Sequence, residues 1–432
     1  MSSIISNRVQ SLSESQSLKM SQLCAQLRAE GHDVISLTLG EPDATPPPVV
    51  NEAVTKALSE YAYSHYGPVA GMLSLRKAIS RKLEQENQLN YQPEQIVVSV
   101  GAKQAIFNVI LSLINPGDEV VIPTPCWVSY SEMVTLAEGK CVFVPTSPES
   151  KYKMSARQLE QAITDKTKLL LICSPNNPTG SVYSHEEFAA IAEVLSRHPE
   201  VFVIADEIYE HINYVGQHCS LASFPEIEDR VVIINGVSKA YAMTGYRLGW
   251  MASHCMPLVK ACLKLQGQSV THATMLAQCA AEAAYLDSPD YVNQLRKGFA
   301  ERKQVVMQML GNIPGITCVE PDGAFYAFPD VSSYYGKSYV SNPANSSNSS
   351  DISDSTTPAN SSDKSNQATP ANTTVISTSA DMVNYLLSEA HVACVAGSAF
   401  GEDKCIRLSF ATDIPSIREA LTRIHNALLR LA

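Results

Sequence analysis

Residues 231–250 read V-V-I-I-N-G-V-S-K-A-Y-A-M-T-G-Y-R-L-G-W, and Lys239 near their centre organises the reading of the whole chain. The apolar run Val231 to Ile234 predicts a buried strand. Lys239 follows it at a strand end that meets a glycine-containing turn, with apolar and small neighbours. Lysines that serve only solvation usually sit among other charges on helix faces. A lysine held among apolar groups has a lowered pKa and can act as an amine nucleophile. Arg247, eight residues on, is suited to gripping a phosphate or carboxylate at two points. A strand-end lysine in a surface turn reads the same stretch equally well, so the remaining sequence must decide.

Outward from this stretch the pattern is regular. Apolar runs recur at Ile96–Val100, Glu119–Ile122, Lys168–Cys173, Val201–Ala205, Val231–Ile234 and Leu248–Ala252, and helical patterns separate most of them. Continuous apolar strands alternating with helices predict an α/β fold whose mostly parallel central sheet is buried on both faces. Polar and glycine-containing residues follow these strands: Gly101-Ala102-Lys103, Pro123 to Trp127, Ser174 to Gly180, Asp206 to Tyr209, and Ser238-Lys239. In open α/β sheets, ligands bind at the carboxyl ends of the strands. Before the alternation, helices are expected at about residues 15–30, from the prolines at 46–48 to Ala57, and at 72–87, with a short strand from Asp33 to Leu39.

Composition excludes several classes. The 432 residues carry a net charge of −11 with a pI near 5.4, and no basic block stands ready to neutralise phosphates, so nucleic acid is not the expected partner. No stretch approaches the roughly 20 apolar residues of a membrane span. The N-terminal sequence lacks a signal-peptide core. Eleven cysteines, odd in number and without C-x-x-C, predict reduced thiols and a cytoplasmic location. The histidines show no metal-binding spacing, so no metal site is expected. Residues 341–374 contain no aromatic residue, and P-A-N recurs at Pro343, Pro358 and Pro370. That tract is expected to be a disordered insertion inside a domain, with outer limits of about 335–378.

Taken singly, each polar residue has a bland reading: Asp206 as a helix cap, Asn177 as a turn former, Trp127 as core, Arg407 as a strand residue. Together they form one set. Lys239 offers an amine, and Asp206 a carboxylate at the end of V-F-V-I-A-D. Tyr209 and Asn177 offer polar groups, Trp127 a flat ring, and Arg247 with the Gly101-Ala102-Lys103 turn an anion site at a helix start. Arg407, in I-R-L-S-F, suits a carboxylate. These are the groups that pyridoxal phosphate requires.

The motifs S-P-N-N-P-T-G, D-E-I-Y, S-K-A-Y-A-M-T-G-Y-R-L-G and R-L-S-F-A-T, in that order, resemble the class I (fold type I) aminotransferases. The resemblance is greatest to bacterial aspartate and prephenate aminotransferases. It implies a fold type I architecture: an N-terminal segment (1–46), a large cofactor-binding domain (47–319) and a C-terminal small domain (320–432). It implies that Lys239 holds pyridoxal 5′-phosphate and moves the substrate proton, and that Asp206 pairs with the ring nitrogen. Asn177 and Tyr209 would meet the ring oxygen, and Trp127 would stack on the ring. Gly101, Ala102, Ser238 and Arg247 would hold the phosphate, with Lys103 beside them. Arg407 would grip the substrate α-carboxylate with Gly40 and Asn177, while Lys103 and Ser17 would face an acidic side chain. Tyr66 would reach the phosphate of a second subunit, which implies a homodimer with shared sites.

The implied reaction is ping-pong transamination between an amino acid, aspartate first, and 2-oxoglutarate. Prephenate, aromatic or neutral amino-acid transamination and a β-C–S lyase remain as alternatives. A non-enzymatic binding protein is disfavoured by the presence of Lys239, Asp206 and Arg407 together. Two positions depart from the pattern: Gly236, where many relatives have serine, and Cys126, where tyrosine is common.

Overall fold

The computed structural model describes residues 4–13, 16–288, 290–340 and 373–432, without the side chains of residues 16–19 and 21. The Ser/Asn/Thr/Pro tract at 341–372 lies outside the described residues, as does the expectation attached to it.

The chain enters through a helix, Gln16–Ala29, and a two-residue strand β1 (Ile35–Ser36). The strand is much shorter than the 33–39 run suggested. Helices Pro48–Leu58 and Leu73–Asn87 follow, the first with proline in its opening turn, where no backbone N–H is needed. A seven-stranded sheet then forms among the described residues. Its strands are β2 (Ile96–Ser99), β3 (Glu119–Thr124), β4 (Lys140–Pro145), β5 (Thr167–Cys173), β6 (Phe202–Asp206), β7 (Val231–Gly236) and β8 (Gly249–Ser253). Their order is β2-β8-β7-β6-β5-β3-β4, and only β8 runs against its neighbours. The carboxyl ends of β2, β3, β5, β6 and β7 therefore share one edge. Strand β4 was not anticipated: it is an edge strand, with Lys140 and Phe143 exposed and only Val144 buried, so it lacks the doubly buried signature of the others.

Alternate residues of each strand enter opposite core layers. In β5, Leu169 and Leu171 pack into one layer and Leu170 and Ile172 into the other, all almost fully buried. Truncating such a leucine to alanine typically costs about 2–5 kcal/mol. Helices cover both faces, several with explicit start signals. Ser184 and Glu187 form a reciprocal capping box at the start of the helix His185–Ser196.

Past Leu310 the chain builds smaller sheets. Strand β9 (Tyr326–Ala327) lies antiparallel to a late strand, and β10 (Ser338–Val340) pairs antiparallel with β11 (Thr373–Val375). The ladder of β10 and β11 corrects the outer limits placed on the insertion, because 338–340 and 373–375 are regular structure. After the helix Ser379–Ala390 come β12 (Val392–Ala393), β13 (Val395–Ala396), β14 (Ile406–Ser409) and the helix Ile414–Leu428. Strands β13, β14 and β9 form one sheet, and β1 pairs parallel with β12, which ties the N-terminal segment to this part of the chain. No helix among the described residues is long and apolar enough to cross a membrane.

Candidate active site

The strand ends converge on a cavity of about 280 Å³. Lys239 enters it from the turn after β7, and its Nζ donates to the Gly40 carbonyl. Burial lowers the lysine to about 8; Glu41 opposes this, and Arg247 and Arg407 add to it. At neutral pH roughly a tenth of such an amine is unprotonated, far more than for an exposed lysine.

Asp206 closes β6 and is buried. Its Oδ2 accepts the Tyr130 hydroxyl at 2.6 Å and its Oδ1 the Ile208 N–H at 3.2 Å. Burial raises the carboxyl to about 6, and these hydrogen bonds keep it from rising further. It is mainly ionised at pH 7. The next carboxylates in D-E-I-Y-E belong to a different cluster: Glu207 lies 3.2 Å from His218, and Glu210 is paired with the buried Lys82.

Arg407 projects from β14 into the same cavity. Nη1 donates to Asn177 at 3.0 Å and Nη2 to the Thr38 carbonyl at 2.6 Å. Its Nε is buried with no hydrogen-bond partner among the described residues. Tyr326 and Phe400 hold the guanidinium between rings 4.6 and 5.0 Å from its carbon. Tyr209 meets Tyr326 hydroxyl to hydroxyl at 2.8 Å.

The anion cradle lies where helix Gly101–Leu113 starts. Gly101 has φ +78°, and a side-chain carbon there would meet Arg247 Nη2 at 2.7 Å. Across the cradle, a carbon on Gly249 would lie 2.3 Å from the Ala102 nitrogen. Both positions are glycine because backbone and guanidinium approach too closely for anything larger. Lys103 Nζ stands 4.8 Å over the Trp127 ring, and both line the cavity. Its pKa is lowered by burial and then by Arg247.

Of the residues singled out from the sequence, Lys239, Asp206, Tyr209, Asn177, Trp127, Ala102, Lys103, Ser238, Arg247, Arg407 and Gly40 all line this cavity, and Gly101 lies against Arg247. Tyr66 does not: it is 91% exposed, its ring edge-on to His272. Ser17 belongs to the helix Gln16–Ala29, but its side chain lies outside the described atoms. The two departures have local explanations. A side chain at Gly236 would strike the Gly249 backbone at 2.7 Å, so no serine fits there. Cys126 is buried beside the cavity, not in it, and burial pushes its thiol up to about 12.

The sequence reading missed Tyr130, Tyr326, Thr38 and Cys173. Tyr130 had a signal, since it stands one helical turn after Trp127 and beside its ring. Tyr326 had none beyond its place in a short buried strand.

The site and sheet define a class: a buried lysine, a buried carboxylate and an anion cradle at the carboxyl edge of a mostly parallel sheet. Residues 32–424 match the family Aminotransferase class I and II, and the chain belongs to it. The family uses pyridoxal phosphate. The glycine-lined cradle beside Arg247 and the buried Lys239 and Asp206 fit that cofactor. The chain is 40% identical over 431 residues to the bifunctional aspartate aminotransferase and glutamate/aspartate-prephenate aminotransferase of Petunia hybrida, covering 99% of this chain and 83% of that protein. It is 39% identical to the aspartate/prephenate aminotransferase of Nitrosomonas europaea, covering 98% of this chain and 99% of that one. Among solved structures, the aspartate aminotransferase of Rhizobium meliloti superposes with a TM-score of 0.88 at 36% identity, covering 99% of each chain. The Thermus thermophilus aspartate aminotransferase with maleate gives 0.84 at 33%, covering 98% of this chain and 99% of that one.

Proposed function

We propose that this chain transfers the amino group of aspartate to a 2-oxo acid such as 2-oxoglutarate. The observation that carries this is the placement of three groups around one cavity: Lys239 as the amine, Arg407 as a carboxylate clamp and Lys103 as a second cation. Two cations in the cavity that holds the amine suit a dicarboxylic amino acid. The names of the Petunia and Nitrosomonas relatives include aspartate, and the Thermus structure carries maleate, a dicarboxylate.

Pyridoxal phosphate supplies an aldehyde that binds amines and a ring that accepts the electrons left when a proton leaves Cα. Lys239 would hold it, Asp206 would keep its ring nitrogen protonated, and Tyr209 and Asn177 would serve its ring oxygen. Trp127 would offer the ring a flat apolar face. Ser238, Arg247 and the N–H groups at Gly101 and Ala102 would bind the phosphate. Arg407 presents Nε and its remaining Nη protons to the α-carboxylate, which fixes the orientation of Cα. Lys239 Nζ would take the Cα proton and return it; a pKa of about 8 leaves the free amine able to do both near neutrality. The Gly40 carbonyl accepts a hydrogen bond from Lys239 Nζ and orients it.

We assign residues 47–319 to a large domain and 1–46 with 320–432 to a small one, and place the chain in the cytoplasm as a homodimer. The exposed Tyr66 supports sharing of sites between subunits. Refolding a mixture of Tyr66→Ala and Lys239→Ala chains tests this: the hybrid has one intact site, so activity returns on mixing, and its failure to return rejects shared sites.

A donor panel tests the function: aspartate, alanine, phenylalanine, methionine and cystathionine with 2-oxoglutarate, plus an acceptor-free control. Fast glutamate formation from aspartate is the expected result. Acceptor-independent pyruvate from cystathionine would move the chain to lyase chemistry.

A further inference from the structure

Tyr326 touches three of the groups assigned above. Its hydroxyl lies 2.8 Å from that of Tyr209. Its ring face carries the Arg407 guanidinium at 4.6 Å. Its hydroxyl oxygen also stands 2.8 Å from where a side-chain carbon on Gly40 would sit, so this ring sets the need for glycine at the residue whose carbonyl receives Lys239. The side chain is fully buried and lines the cavity. Strand register explains the placement: Tyr326 pairs with Ser409, two residues along β14 from Arg407 and therefore on the same face.

We infer that Tyr326 is a positioning residue of this site, aiming the Tyr209 hydroxyl with its own and seating Arg407 on its ring; the inference rests on the function proposed above. A hydroxyl has one proton. When Tyr326 donates to Tyr209, the proton of Tyr209 is left free to point into the cavity. Electrostatics favours that direction. Burial raises both hydroxyls and Arg407 lowers both, but the guanidinium lies directly over the Tyr326 ring, 4.6 Å from its centre. A cation on its ring face draws electron density from the Tyr326 hydroxyl and favours it as the donor. Accepting that bond polarises Tyr209 and strengthens whatever bond it donates.

The test uses holoenzyme and reads the pH midpoint of its visible absorbance band, together with KM for aspartate. Tyr326→Phe keeps the ring and removes the hydroxyl. The midpoint should rise by roughly 0.3–1 unit, the equivalent of one neutral hydrogen bond. KM should change by less than about twofold, because the ring that carries Arg407 remains. In a Tyr209→Phe background the same substitution should move the midpoint no further, since the effect passes through Tyr209. Tyr326→Leu, or Met where Leu does not fold, removes the ring face and should raise KM by about 3- to 30-fold.

A midpoint indifferent to Tyr326→Phe, or a shift that persists without the Tyr209 hydroxyl, overturns the aiming role. An unchanged KM in the Leu or Met variant overturns the seating role. A chain that binds no pyridoxal phosphate at Lys239 sinks the functional reading, and this inference with it; a normal holoenzyme that ignores Tyr326→Phe sinks the aiming role alone.

Discussion

Tyr130 gives its hydroxyl proton to Asp206 across 2.6 Å, and both side chains are buried. The bond holds a carboxylate ionised where burial alone would protonate it. Removing it in Tyr130→Phe should raise Asp206 further above about 6. Activity that needs the ionised form is lost as the carboxyl protonates, so the acid limb of the kcat/KM profile should move to higher pH, by roughly 0.5–1 unit for one hydrogen bond. An acid limb in its wild-type place would show that Asp206 does not depend on Tyr130.

The same carboxylate carries a stability cost. Its ordinary value is 3.8 and its folded value about 6, so the folded state binds the proton more tightly. Stability from this group is fully present below pH 4 and is lost as pH rises through 6. Above that the cost is on the order of 2–3 kcal/mol in the apoenzyme. Apo Asp206→Asn should melt higher than apo wild type at pH 7.5 and equally at pH 4, while turnover with cofactor collapses. Equal melting at both pH values would contradict the linkage.

Lys103 tests the second cation. Lys103→Ala should lower kcat/KM for aspartate by about 10- to 100-fold, the loss of a charge-assisted bond. Phenylalanine and alanine should change by much less, since neither carries a second carboxylate. The comparison is the ratio between donors, which cancels any general damage to the site. An unchanged ratio would remove Lys103 from substrate choice.

Much of this was legible in the sequence because it rests on periodicity and punctuation. Doubly buried strands such as β5 and β7 appear as unbroken apolar runs, and the groups that follow them fall on one edge by topology alone. What was illegible depends on approach across the chain. Strand β4 has one neighbour and an exposed face, so its residues show no continuous burial signal. Tyr326 acts only because β9 pairs with β14, a register no local pattern encodes. Gly236 stood out as a departure from the serine of many relatives, and only the approach of the Gly249 backbone explains it. The limits of the insertion were blurred because Ser338–Val340 and Thr373–Val375 are short and polar, and only their pairing makes them strands.

Behind the site, Lys82 and Glu210 form a buried ion pair. Burial works against the Glu210 charge, but Lys82, His211 and His218 outweigh it and hold the carboxyl below its ordinary range. Lys82→Met removes the closest cation from that buried charge and should cost about 3–5 kcal/mol in denaturant unfolding at pH 7. Adding Glu210→Leu should recover much of the loss, because the buried charge is gone. The contribution of the pair is present above the ordinary carboxylate pKa and is lost as pH falls below it, so wild type and Lys82→Met should converge in acid. A double variant no better than the single would reject the buried-charge explanation.

Strands β10 and β11 make the long insertion separable. Val340 and Thr373 are direct cross-strand partners, so the chain leaves and returns at facing positions. A two-residue Asn-Gly loop spans such a pair in a tight hairpin. Replacing residues 341–372 with Asn-Gly should keep the ladder, with kcat for aspartate within about twofold and a melting temperature equal or slightly higher, since a shorter loop has less closure entropy to lose. Circular dichroism and steady-state kinetics on the shortened chain decide it. Loss of turnover with the fold intact would assign the tract a part in the reaction.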